Sequence, residues 1–369
     1  MILLRTTLLA GVLAASAVAQ DVWIVDRTGN GDFTTPQEAV DAAGQRDTIL
    51  IRRGDYPGFL VSNKSLQILA DTGATVRLTS LVEVQALPEG RDVYLSELRS
   101  FFSLGGPAPD SPEGGVVLME SCRTYPEFND PWHPFAPGVR LRKGKSCLVT
   151  CLMQAVDVPD DCQSCDAGAG LEQIGSWAGA SAYHSQFTGG DGGPGWGLFC
   201  FNGGAGGHGV AMSQGLLFTE NVGATAGEGG DGCPDGPDGV EYQIGAGALH
   251  FKSTTPANQL RVPNLAREGE TIKIIVTGTP GHVAWLLESD ELQTRFLGAN
   301  VGNLLLQSPL GVAMLGPIPS SGTLKVVTTA PSLPSGVESQ RRFHQVMLTT
   351  GSGRYLTNPS GMVVVDSAF

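Results

Sequence analysis

Two charged clusters hold the residue types best suited to chemistry. Arg140, Arg142, Lys143 and Lys145 form a basic run, and Asp157, Asp160, Asp161 and Asp166 an acidic one soon after it. Paired carboxylates at a suitable separation hydrolyse a glycosidic bond, one as acid and the other as base or nucleophile. Carboxylates holding calcium beside an Arg or Lys base would instead suit β-elimination from a uronate. The competing reading is a solvated acidic loop next to a basic strand edge, because spacing alone does not bring the two clusters together. Asp191, Glu228 and Asp231 lie in glycine-rich stretches and are candidate calcium ligands. The regular Gly-Gly-x-Gly-x-Asp nonapeptide of calcium-binding repeats is absent, so calcium is an option and no cofactor is required. Trp132, Trp177 and Trp196 are candidate sugar-stacking residues in the same loop-rich half, where the alternative is ordinary packing.

The seven cysteines are Cys122, Cys147, Cys151, Cys162, Cys165, Cys200 and Cys233. Cys162-Gln163-Ser164-Cys165 has the spacing of a redox pair. Its acidic neighbours would raise a thiol pKa where a reactive thiolate needs it lowered, so structural disulfides are expected, with one cysteine left over. A zinc site would need His184 or His208 to join the pair, and both lie too far along the chain to read as one motif.

The first nineteen residues read as an export signal. Arg5 precedes an apolar run from Leu8 to Val18, and Ala17-Val18-Ala19 ends it as a cleavage site. The run is shorter than a membrane span, and no later stretch is apolar enough to be one. With 23 Lys and Arg against 36 Asp and Glu the formal charge is −13, one unit more negative once Arg5 is removed. That balance argues against nucleic acid and anionic membranes as partners. The expectation is a secreted or envelope protein, not an integral membrane protein.

The elements that must position these residues are short strands. The chain carries 51 Gly and 23 Pro with 16% charged and 41% hydrophobic residues, a balance that disfavours both a helical bundle and disorder. Val22 to Val25 reads as a strand. Thr35, Pro36 and Glu38 then open a short helix with a capping box, which Gly44 stops. The triplets Val93-Tyr94-Leu95, Val116-Val117-Leu118 and Val139-Arg140-Leu141 start 23 residues apart, twice, as the coils of a parallel β-solenoid would. Further apolar strands are expected at 66–69, 81–84, 147–149, 198–201, 210–212 and 216–218.

Residues 189–247 contain 21 Gly in 59, grouped between strand candidates, and read as tight corners on one side of successive coils where positive φ is needed. None has the Lys-Ser/Thr ending of a phosphate-binding loop. After residue 255 the cysteines and glycine clusters stop, and about seven short strands suit an antiparallel β-sandwich, which gives the solenoid's open end a cover. The chain therefore divides into a leader, 1–19, a β-helix domain, 20–255, and a β-sandwich domain, 256–369.

Gly31-Asp32-Phe33-Thr34-Thr35-Pro36-Gln37-Glu38-Ala39-Val40-Asp41-Ala42-Ala43, followed by Asp47-Thr48-Ile49-Leu50-Ile51 and Gly54-Asp55-Tyr56, resembles the opening of pectinesterases and related pectin-lyase-like proteins. The resemblance covers about 50 residues and implies a right-handed parallel β-helix whose N-terminal end is capped by the short helix. The pectinesterase family's Gln-Asp-Thr, Asp-Phe-Ile-Phe-Gly and Arg-Pro-Trp segments are missing, since Asp130-Pro131-Trp132 lacks the Arg. The fold is transferred and the catalytic residues are not. The expected function is an exported β-helix protein that binds carbohydrate or serves a structural, adhesive role. A lyase, glycoside hydrolase or esterase acting on a uronate-containing glycan is the alternative.

Overall fold

The computed structural model describes residues 20–105, 114–124, 136–158, 162, 165–175, 179–195, 202–253, 258–298, 301–308, 310–351 and 353–369. The chain is mostly β, with parallel sheets in its N-terminal part and antiparallel or mixed sheets in its C-terminal part.

The N-terminal part is a solenoid in which each coil visits three parallel sheets in turn. The first sheet stacks Val22–Val25, Thr48–Ile51, Leu66–Ala70, Asp92–Ser96, Val116–Glu120, Lys145–Val149 and Gly179–Tyr183. The second stacks Gly54–Tyr56, Val76–Leu78 and Leu98–Arg99, continues through a bridge at Arg123, and ends with Leu152–Gln154, Gln186–Thr188 and Gly223–Thr225. The third stacks Leu60–Ser62, Val82–Gln85, Phe102–Leu104, Val139–Leu141 and Leu171–Gln173. The long strands Val210–Glu220 and Tyr242–Lys252 run from the third sheet directly into the first.

Alternation along each strand fills the interior. Val93, Leu95, Val117, Met119, Leu148, Phe102, Leu104, Val139 and Leu141 belong to one continuous buried cluster. A fully buried side chain of this kind contributes about 1.5–3 kcal/mol, so every added coil extends the core. The corner from first to second sheet is made by one residue per coil in left-handed conformation: Glu97, Ser121, Thr150, His184 and Asn221, at φ 50–59°. The helix Pro36–Ala42 closes the first coil, with Ala39 and Val40 buried in that cluster. Thr35 and Glu38 form the expected capping box, and Lys64 Nζ donates to the carbonyls of Val40, Asp41 and Ala43 at the helix C-terminus.

The 23-residue step is half real. Val116–Glu120 does lie one coil beyond Asp92–Ser96 in the first sheet, in a register offset of 24. Val139–Leu141 instead belongs to the third sheet, so the second step joins two different faces. Coil lengths are unequal, with first-sheet register offsets from 19 to 37 residues.

The C-terminal part is a β-sandwich. One sheet holds Gln259–Arg261, Thr271–Thr277 and Thr323–Thr329. The other orders Leu265–Arg267, Ser360–Val365, Ser339–Thr349, Val283–Ser289 and Gly311–Pro317, with Arg354–Leu356 beside Ser339–Thr349. Ile272, Ile274 and Val276 face Leu286, Val346, Leu348 and Val364 between them. The larger sheet is buried on its second face too, where Phe343, Val363 and Val365 pack on Leu50, Leu69, Tyr94, Leu118 and Phe218 of the solenoid's first sheet. The sandwich therefore lies along the flank of the solenoid and not over its open end, where Tyr242–Lys252 has a strand partner on one side and leaves Leu249 exposed. Continuous apolar strands such as Val116–Glu120 needed two hydrophobic faces, and a cap would have satisfied neither.

Candidate functional site: the third sheet and its glycine-rich flange

The long loops leaving the second sheet are not corners. In three successive coils the chain runs outward over 155–158, 189–195 and 225–232, and returns over 165–170, 202–209 and 234–240. Outward legs bond to each other every third residue: Ala155 and Val158 donate to Thr188 and Asp191, then Gly189, Gly192 and Gly195 donate to Thr225, Glu228 and Asp231. Return legs do the same, with Ala167 and Gly170 donating to Ala205 and His208, and Gly203, Gly206 and Gly209 to Pro234, Pro237 and Val240. Outward and return legs are joined antiparallel by Gly190 to Gly168, Gly207 to Gly190, Gly227 to Gly207 and Gly239 to Gly227 at 2.8–3.1 Å. A parallel series joins Gly193 to Cys165, Gly204 to Gly193, Gly230 to Gly204 and Gly236 to Gly230.

A three-residue period without bonds inside a leg is polyproline-II geometry, here stacked into a flat flange. None of these glycines has positive φ, which corrects the expected reason for them. They are required by close approach. A Cβ on Gly204 would lie 1.9 Å from the Cys165 carbonyl oxygen, and one on Gly207 1.9 Å from that of Gly168. Two positions in three are closed in this way, and the third points outward. The signal was present in the sequence as Gly-Gly-x triplets, in Gly189-Gly190-Asp191-Gly192-Gly193-Pro194 and Gly203-Gly204-Ala205-Gly206-Gly207-His208.

The outward positions carry the acidic residues. Asp157 Oδ1 accepts the Asp191 amide at 3.1 Å, Asp191 Oδ1 accepts the Glu228 amide at 2.8 Å, and Asp166 Oδ1 accepts the Ala205 amide at 2.8 Å. These carboxylates tie one leg to the next. Asp191, Glu228 and Asp231 do line a single hollow, together with Pro194, on the outward face. Among the described residues no three His, Cys, Asp or Glu side chains converge as a metal-ligand set.

Arg140 sits elsewhere, on the outer face of the third sheet, where it is ion-paired with Glu172 of the next coil. The Arg142 amide continues the ladder to Leu104, and Lys145 begins a first-sheet strand. Asp157 and Asp166 on the flange and Arg140 on the sheet therefore do not form one site. Asp160, Asp161, Trp132, Trp177, Trp196 and Cys200 lie outside the described residues, as does the leader. What the third sheet does assemble is one row in register over six coils: Glu83, Ser103, Arg140, Glu172, Ala211 and Gln243. The flange rises from the edge at which the strands of this row begin, and so bounds it on one side. Sequence reading missed the row because coils of unequal length hide its register.

His184 and His208 make structural contacts. His184 Nε2 lies 3.2 Å from the Asn258 carbonyl and so donates, while Nδ1 accepts from Asn221 Nδ2 at 2.9 Å. Burial holds its pKa down, and the ring is neutral. His208 Nδ1 accepts the Val240 amide at 3.0 Å within the flange.

Cys162 and Cys165 form a disulfide, and Cys233 is also disulfide-bonded. Cys122, Cys147 and Cys151 are free and buried, against the expectation of pairing. Cys122 and Cys151 follow the left-handed corner residues in successive coils and face the solenoid core, whereas Cys147 faces the sandwich. At these positions a thiol acts as a small apolar side chain. Burial pushes the Cys151 thiol up to about 12 and Cys122 and Cys147 well above the ordinary range.

No family model and no curated protein matches this chain. Two solved structures are similar to parts of it. The superoxide reductase (neelaredoxin) of Ignicoccus hospitalis is 10% identical, with a TM-score of 0.17, over 31% of this chain and 82% of that one. A putative superoxide reductase of Thermotoga maritima is 12% identical, with a TM-score of 0.16, over 31% and 87% respectively.

Proposed function

We propose that this is an exported β-helix protein of the envelope or extracellular space, which binds carbohydrate along the outer face of the third sheet without cleaving it. The observation that carries the reading is the six-coil row from Glu83 to Gln243. Its rungs repeat at about 4.8 Å, close to one sugar ring of an extended chain, and its accessible members mix amide, carboxylate and guanidinium groups. Such a strip offers hydrogen bonds to hydroxyls along a linear polymer. The flange gives it a rigid wall, because every leg is bonded to its neighbours through the backbone. The Arg140 and Glu172 pair is satisfied internally and so is poorly placed to serve as acid and base.

The test is a panel of neutral and uronate-containing polysaccharides, with bound protein, new reducing ends, unsaturated uronate and released methanol followed together. Saturable binding without product, weakened in an Arg140→Ala/Glu172→Ala variant that still folds, is the expected result. Turnover on any substrate overturns the non-catalytic reading, and unchanged binding by that variant removes the third sheet from it.

A further inference from the structure

The outer face of the second sheet carries a different row. Asp55, Arg77, Arg99 and Arg123 occupy one column in register, and the next coils place Leu152 and Gln186 there. The residues flanking Arg77 and Arg99, namely Val76, Leu78 and Leu98, are in the solenoid core, so these guanidinium groups project outward. Arg123 is exposed and follows the buried Cys122. Three consecutive rungs therefore present arginine, at the ladder step of about 4.8 Å.

Like charges on adjacent rungs disfavour the fold, and a chain with 36 acidic residues against 23 basic ones had ample means of interleaving them. Among the described residues the first rung does so. Arg77 Nη1 is 3.9 Å from Asp55 Oδ1, and among the described residues neither Arg99 nor Arg123 has a carboxylate within ion-pair distance. The sandwich docks on the first sheet and not on this face.

We propose that Arg77, Arg99 and Arg123 bind a linear acidic polysaccharide running along the solenoid axis, each guanidinium taking one carboxylate or sulfate from successive sugars. Guanidinium is suited to both anions because it offers two parallel N–H donors. The rung step matches a chain with one charge per ring, whereas the phosphates of duplex DNA recur every ~3.4 Å along each strand, and the protein's net negative charge repels that polymer. The column lies on a different face from the third-sheet row, so the two sites stand or fall separately.

Calorimetric titration of the full-length protein with polygalacturonate, dextran sulfate and neutral dextran, at low and at physiological ionic strength, tests this. Binding of one or both polyanions and not of dextran, weakening with salt, is expected. Polygalacturonate alone identifies carboxylate as the group recognised, and dextran sulfate alone identifies sulfate. An Arg77→Gln/Arg99→Gln/Arg123→Gln variant should lose affinity by roughly tenfold or more, with a smaller salt dependence. Arg99→Lys, which keeps the charge and loses the two-pronged donor, should lose less. Arg295→Gln, an exposed arginine of the C-terminal part outside both rows, should leave polyanion binding unchanged. The proposal is overturned if the wild type binds neither polyanion, if the triple variant keeps its circular dichroism spectrum and its affinity, or if Arg295→Gln lowers affinity as much as the triple variant does.

Discussion

The Tyr94 hydroxyl donates to the Glu120 carboxylate at 2.9 Å from the neighbouring coil, deep in the seam where the sandwich lies on the solenoid. The same carboxylate accepts from Ser360 Oγ at 2.7 Å and the Gly361 amide at 3.0 Å, so three donors from both parts of the chain meet on one acid. Burial outweighs these donors and raises the Glu120 pKa from 4.5 to about 7.

A raised carboxylate makes the folded protein hold a proton that the unfolded chain has released. Its stability contribution is complete below pH 4.5 and is lost as pH climbs to about 7, by roughly 3 kcal/mol for a group this deeply buried. Glu220, three coils along the same column, is also raised to about 7 and accepts the Asn258 amide. The melting temperature should therefore fall between pH 5 and pH 8, and Glu120→Gln/Glu220→Gln should flatten that slope. An equally steep slope in the double variant would mean other groups control it.

The second tie across the seam is the ion pair of Asp92 and Arg341, whose side chains are 3% and 2% exposed. Asp92 also accepts the Leu292 amide at 3.1 Å, and Arg341 lies over the Phe343 ring at 5.5 Å. Removing one partner leaves a buried charge uncompensated. Arg341→Met should lose about 3–5 kcal/mol in chemical denaturation, and adding Asp92→Asn should restore a substantial share of it. A single variant within about 1 kcal/mol of wild type would show that water reaches this seam.

The flange makes a sharper demand on individual residues. Gly204→Ala forces a methyl onto the Cys165 carbonyl, and the bonds of Gly204 to Gly193 and of Gly230 to Gly204 prevent the leg from moving away. A loss of about 3 kcal/mol or more is expected, with early proteolysis between residues 155 and 240. Gly73→Ala is the control. It has open space around its Cβ but φ of +69°, so its penalty is the left-handed strain alone, about 1–2 kcal/mol. Equal melting temperatures for the two variants would contradict close packing as the reason for the glycines.

These contrasts mark what the sequence could reveal. The capping box at Thr35 and Glu38 and the strand Thr271–Thr277 are local patterns, and each appears where local chemistry placed it. The solenoid was inferred from a step that holds once, because unequal loops break any constant period even when the strands stay in register. The docking of the sandwich depends on the outward residues of the first sheet, Leu50, Leu69, Tyr94 and Leu118, whose partners are more than 200 residues away. Candidate residues chosen by proximity in sequence, such as Arg140 and Asp157, separate because a coil sends neighbouring segments to different faces.

The cysteines show how the same topology sets reactivity. Seven cysteines in a chain expected to be exported invite pairing, yet Cys122, Cys147 and Cys151 each sit inside an apolar layer, with Cys122 Sγ directed at the Leu95 carbonyl and Cys151 Sγ at those of Met119 and Val149. Nucleophilic attack requires thiolate, and burial pushes all three thiols away from it. A thiol reagent added to native protein at pH 8 should therefore leave these three unlabelled for as long as the solenoid stays closed, and mass spectrometry after denaturation without reductant should find label on each. Rapid native labelling of Cys122 and Cys151 would mean that the coils open locally. Labelling of Cys147 alone would instead place the opening at the seam, since Cys147 faces the sandwich while the other two face the core.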